Sequence, residues 1–164
     1  MGINFQNNIR QKRTVILIIL AVFFVLTDRF FKVLCLKGFF DLPVKLAGDI
    51  FTLHYVKNYY IAFSLPFSGP ILTIIIGIII LILIVYWLKS LISAPRSLHP
   101  APNIFPLTLL IIGAILNFTD RIRYGFVIDY LDLKYFTVFN LADILLVTSI
   151  IWIIIFNKQK KYAI

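Results

Sequence analysis

A chain of 164 residues that is 61% hydrophobic, with a mean hydropathy of +0.97, has more apolar surface than a soluble domain of its size can bury, which excludes an ordinary water-soluble globule. Its net charge of +9 lies in the polar flanks of apolar blocks and forms no separate basic patch. That argues against a nucleic acid as partner and leaves anionic lipid headgroups as sufficient ones.

The first apolar block, residues 14–36, follows Arg10, Lys12 and Arg13 and so starts like a secretory signal. No small-x-small cleavage site follows "TVILIILAVFFVL", and the apolar run continues through Asp28 to Leu36, so a retained span is expected. The single Cys35 cannot form an internal disulfide, and bulky Leu34 before it argues against lipid attachment. Asp28 and Lys32 stand i, i+4 at the end of this block, where an ion pair would ease their desolvation. Residues 37–69 follow as an outer segment. Their stretch "DIFTLHYVKNYYIAFS" is rich in aromatic and β-branched residues and reads as strand or hairpin, lying on the membrane surface with its Tyr and Phe rings at headgroup level.

The second block, 70–88, leads into "KSLISAPRSLHPAPN", a proline-rich connector without regular structure. In the third block, 104–120, Gly113, Asn117 and Asp120 fall on one helix face, a small residue for close packing followed by two polar groups. An outer loop, 121–138, carries Asp129, and the fourth block covers 139–156. The expected fold is therefore an all-α membrane protein of one domain: four transmembrane helices, with a small extracytoplasmic β-rich segment between helices 1 and 2. Counting Lys and Arg in the flanks favours cytoplasmic termini, by a small margin. His54 and His99 lie in loops assigned to opposite sides, so no metal pair is expected.

The acids narrow the function. All seven are aspartates, and Asp143 is hard to keep out of the membrane. From Ile144 to Phe156 the run is 13 residues, or about 20 Å of helix, against a hydrocarbon core about 30 Å thick. The fourth helix should then begin near Phe139, with Asn140 and Asp143 at or below the interface. An intramembrane acid reads first as functional; a structural ion pair or a helix cap is the alternative. Asp129 is close in sequence, and a loop returning to the same surface can bring both carboxylates together. Two such groups cannot both ionise easily, so one keeps a proton and the pair offers a base and an acid for activating water. Spacing alone leaves this one hypothesis among several.

The segments "TDRFFK", "VKNYYIAFS", "GAILNFTDRIRYGFVIDY" and "FNLADILL", in this order on the four blocks, resemble the lipoprotein signal peptidase (signal peptidase II) family over essentially the whole chain. Asn117, Asp120, Arg121, Gly125, Val127 and Asp129 fit its N-x-x-D-R-x-x-x-G-x-V-x-D pattern, and Phe139, Asn140, Ala142 and Asp143 its F-N-x-A-D. The resemblance implies that Asp129 and Asp143 are the catalytic aspartates. It also implies that Asn58, Asn117, Asp120, Arg121, Asn140, Asp28 and Lys32 support the site or the substrate. The implied activity is a metal- and cofactor-independent aspartic endopeptidase of the bacterial cytoplasmic membrane. It would work as a monomer among membrane lipids, with its site near the outer surface, and cut a lipid-modified prolipoprotein before the diacylglyceryl-bearing cysteine. Departures from the family pattern are Tyr60 and Ile61 where a small residue is usual, Arg29 and Phe31 where Gln and a hydroxyl residue are common, and a short loop between the two aspartates. Two rivals stand beside this reading. One is a non-catalytic relative that binds lipidated proteins. The other is a small proton- or ion-coupled protein with acids lining a polar path, which the placement of the acids toward one end disfavours.

Overall fold

The structure, a computed structural model, describes residues 2–60, 68–93 and 104–162. Its elements in chain order are α1 (Gly2–Leu36), β1 (Val44–Ala47), β2 (Phe51–Asn58), α2 (Pro70–Ser93), α3 (Ile104–Tyr124), β3 (Val127–Leu133), β4 (Thr137–Phe139) and α4 (Leu141–Tyr162). The helices come from the four apolar blocks. Proline opens α2, where its missing N–H costs nothing, and residues 71–84 are all Ile or Leu apart from Thr73 and Gly77. Only 11% of the most apolar window of α2 is buried, and a helix that is apolar all round yet unburied is matched to lipid. Among the described residues, α2 over Pro70–Ile92 and α3 over Ile104–Tyr124 are long and apolar enough to cross a membrane, while the apolar part of α4, Leu141–Ile155, is shorter.

The four strands form one antiparallel sheet in the order β1-β2-β3-β4, and this corrects the all-α expectation. The hairpin expected in 37–69 is there as β1 and β2, but the loop 121–138 supplies two further strands. Aspartate is depleted in strands, so "VIDYLDL" read as loop; pairing with β2 on one side and β4 on the other overrides that preference. Four residues of β3, Val127 to Tyr130, are buried whichever face they point to, which erases the alternation that would have marked a strand. Boundaries moved as well. The fourth helix begins at Leu141 because β4 uses Phe139, α3 runs on to Tyr124, and α2 takes the start of the connector. The rest of that connector, with His99, and Ile61 lie outside the described residues.

Two local features bring the elements to the site. Gly125, at φ +78, donates its N–H to the Arg121 carbonyl at 3.0 Å; this left-handed cap ends α3 and turns the chain into β3 within two residues. Gly113 lets α3 press against α4, since a Cβ there would stand 2.7 Å from the Ala142 carbonyl oxygen. The end of α1 seats on the sheet through Cys35, Phe40, Leu53, Ile128 and Tyr130, and Phe31 stacks on Tyr130 with ring centroids 5.2 Å apart.

Candidate active site

Asn140 organises the two aspartates named by the sequence. It caps α4: its side-chain oxygen accepts the Asp143 N–H at 3.0 Å, and the Asp143 carboxylate accepts the Asn140 N–H at 3.1 Å. This is a reciprocal capping box, which satisfies two backbone donors and holds Asp143 in the first turn. The Asn140 amide nitrogen then donates to Asp129 Oδ1 at 2.7 Å. Asp129 is brought there by the β3–β4 hairpin, whose register, Leu131 opposite Phe139, runs Asp129 toward the start of α4. The chain thus passes from Asp129 to Asp143, 14 positions on, through a tight hairpin that returns to its origin.

Further amides fill the remaining carboxylate oxygens. Asn58 Nδ2 donates to Asp129 Oδ2 at 2.9 Å from the diagonal position on β2, where Asn58 pairs with Val127 and Val56 with Asp129. Asn117 Nδ2, one turn beyond Gly113 on α3, donates to Asp143 Oδ1 at 2.8 Å. Its oxygen accepts from Asn140 Nδ2 and from Lys32 Nζ, both at 3.1 Å. Beneath them lies a second pair of acids. Lys32 Nζ is 3.0 Å from Asp28 and 2.7 Å from Asp120, and Arg29 reaches the same two carboxylates at 3.0 and 2.8 Å. Asp28, Asp120 and Lys32 are buried. Arg121 does not touch an aspartate. It donates to the carbonyls of Tyr59, at 3.5 Å, and Tyr60, at 2.6 Å, while Tyr60 N–H donates to Asn58 Oδ1 at 3.0 Å.

The residues nominated from the sequence, Asp28, Lys32, Asn58, Asn117, Asp120, Arg121, Asp129, Asn140 and Asp143, therefore stand in one connected network. Asp143 thus takes part in a helix cap and also stands linked, through Asn140, to the carboxylate of Asp129. Two members escaped sequence reasoning. Arg29 stood out only as a departure from pattern, although its i, i+3 spacing to Lys32 was a signal. Buried Tyr130 donates its hydroxyl to Asp28 Oδ1 at 3.4 Å and accepts the Leu141 N–H at 3.1 Å; nothing but its alternation with Ile128 in β3 pointed to it.

The electrostatics favour a shared proton. Burial pushes the Asp129 carboxyl up to about 7, and the charge of Asp143 adds to the rise; the hydrogen bonds from Asn58 and Asn140 and the charge of Lys32 oppose it. A pair that shares one proton can take a proton from water and give one to a carbonyl oxygen. Among the described residues no group of three or more His, Cys, Asp or Glu is arranged to hold a metal ion.

Helices of this apolarity, one of them opening on a half-buried Asp143 beside the buried Asp129 of a small sheet, define a membrane enzyme. Two solved structures, both described as bacterial membrane enzymes studied by the in meso method, share the architecture. One has a TM-score of 0.75 and 25% identity, covering 88% of each chain; the other has a TM-score of 0.69 and 26% identity, covering 85% of this chain and 90% of its own. Residues 20–158 match the family described as Signal peptidase (SPase) II. The lipoprotein signal peptidase of Caldicellulosiruptor bescii is 38% identical over 126 residues, 77% of this chain and 79% of the relative. That of Halothermothrix orenii is 32% identical over 145 residues, 87% and 95% of the two chains. The chain belongs to the signal peptidase II family.

Proposed function

We propose that this protein is an aspartic endopeptidase that removes signal peptides from diacylglyceryl-modified prolipoproteins, cutting before the lipidated cysteine. The observation that carries the reading is Asn140, which donates to Asp129 with its side chain and exchanges hydrogen bonds with Asp143 through its backbone and side-chain oxygen. Two carboxylates locked to one capping residue are held in a fixed relation before substrate arrives, which is the positioning that general acid–base catalysis needs. The ionised carboxylate takes a proton from a water as the water oxygen bonds to the scissile carbonyl carbon, and the protonated partner gives its proton to the carbonyl oxygen. Collapse of the tetrahedral species breaks the C–N bond: the amine leaves with a proton from the dyad, and one hydroxyl of the tetrahedral carbon returns its proton to the dyad, which ends with the single proton it began with. Asn58, Asn117 and Asn140 orient the carboxylates, and Asp28, Lys32 and Asp120 support them from below. Arg121 holds the chain after β2 against the site.

In this proposal all four helices span the bilayer, both termini are cytoplasmic, and the protein acts as a monomer without a cofactor. Asp28 near the end of α1, Asp120 near the end of α3 and Asp143 at the start of α4 lie at one end of the helices, where a lipid-anchored bond is within reach of water. The test is cleavage in detergent of a diacylglyceryl-modified prolipoprotein, with the product identified by mass spectrometry. A product whose new N-terminus is the lipidated cysteine supports the proposal; an intact substrate, or a cut elsewhere, overturns it. A chelator is expected to leave the rate unchanged.

A further inference from the structure

Asp28 and Asp120 place two buried negative charges under the site, and one lysine would be enough to link them to it. The chain has two cations there. Lys32 carries three donor hydrogens, and each has its own acceptor: Asp28 Oδ2 at 3.0 Å, Asp120 Oδ2 at 2.7 Å and Asn117 Oδ1 at 3.1 Å. Arg29 shares Asp28 Oδ2 with Lys32, at 3.0 Å, and in addition donates to Asp120 Oδ1 at 2.8 Å and the Leu116 carbonyl at 2.9 Å. With Arg29 the cluster of two acids and two bases is neutral. Without it, two carboxylates would compete for a single ammonium, and the bond from Lys32 to the neutral Asn117 amide, the weakest of its three, would be surrendered first.

We propose that Arg29 is a positioning residue for the dyad: by cancelling the second carboxylate charge it frees one Lys32 hydrogen for Asn117, and so fixes the amide that holds Asp143. The inference rests on the peptidase reading above. The chain of contacts is direct, because Asn117 accepts from Lys32 with its oxygen and donates to Asp143 with its nitrogen. The ionisable groups around the cluster, among the described residues, are Asp28, Lys32 and Cys35 on α1, Asp120 and Arg121 on α3, Tyr130 and Asp129 on β3, and Asp143 on α4. Removing the Arg29 charge leaves one uncompensated negative charge below the dyad, which strengthens proton binding by both of its members.

The test is the pH profile of prolipoprotein cleavage by the full chain in detergent, with thermal unfolding followed alongside. Arg29→Gln is expected to lower kcat roughly tenfold with KM unchanged, and to move the alkaline limb of the profile up by about half a pH unit or more. Arg29→Lys restores the wild-type limb, as does the neutral double variant Asp28→Asn/Arg29→Gln. If Arg29→Gln fails to fold, the double variant carries the test: a wild-type limb supports the charge balance, and a raised limb overturns it. An unshifted limb in Arg29→Gln beside an active wild type, or a limb shifted as far by Arg29→Lys, overturns this inference alone. Absence of turnover by the wild type overturns the peptidase reading and this inference together.

Discussion

Two pairs of aspartates, of which only Asp143 is not fully buried, lie side by side in this protein and are treated in opposite ways. Asp28 and Asp120 are bound to Arg29 and Lys32, so their charges are cancelled where they stand. Asp129 and Asp143 accept hydrogen bonds from Asn58, Asn117, Asn140 and backbone, with no cation in contact among the described residues. Ion pairing silences a carboxylate, whereas amide donors orient it and leave it free to exchange a proton. The difference separates the pair that holds three elements together from the pair proposed to do the chemistry.

Breaking the silent pair has the largest expected effect on stability. Lys32→Met leaves two buried carboxylates with one cation and one unmet set of acceptors, and is expected to cost roughly 3–5 kcal/mol, read as a lowered unfolding temperature in detergent. Gly113→Ala comes next. Its methyl group would meet the Ala142 carbonyl oxygen at 2.7 Å, so α3 and α4 must part, at a cost of about 1–3 kcal/mol. The same movement draws Asn117 away from Asp143, and cleavage should fall by more than the loss of folded protein accounts for.

The smallest change sharpens the comparison on the chemical side. A carboxyl raised to about 7 keeps its proton below that pH and loses it above, so a dyad working with one shared proton loses rate as the pH rises through about 7. Asn58→Ala removes a hydrogen bond that favours ionised Asp129, and the alkaline limb of kcat/KM against pH should move upward. Asn58 donates no bond to the Asp28/Asp120 cluster, so the unfolding temperature should move little.

Much of this arrangement is legible in the sequence. The four apolar blocks marked the helices, and Asp129, Asn140 and Asp143 were placed by motif and spacing. Less legible was whatever depended on both neighbours of a strand. The burial of Val127 to Tyr130 on both faces hides the period of β3, and a hairpin that carries two acids looks like a loop. Arg29 shows in the sequence only as a departure from the family pattern because its partner Asp120 is on another helix, and no local pattern announces a contact across 91 positions. Tyr130 was silent for the same reason, since its hydroxyl serves Asp28 on α1 and Leu141 on α4.

The most direct measurement compares the wild type with Asp129→Asn and Asp143→Asn in the prolipoprotein cleavage assay, at matched amounts of folded protein. Asparagine keeps the size of each side chain and an acceptor oxygen but removes the titrating group. The account predicts cleavage by the wild type and a loss of roughly 10³-fold or more in each variant, with unfolding temperatures close to the wild type. Substantial turnover by either folded variant would contradict it.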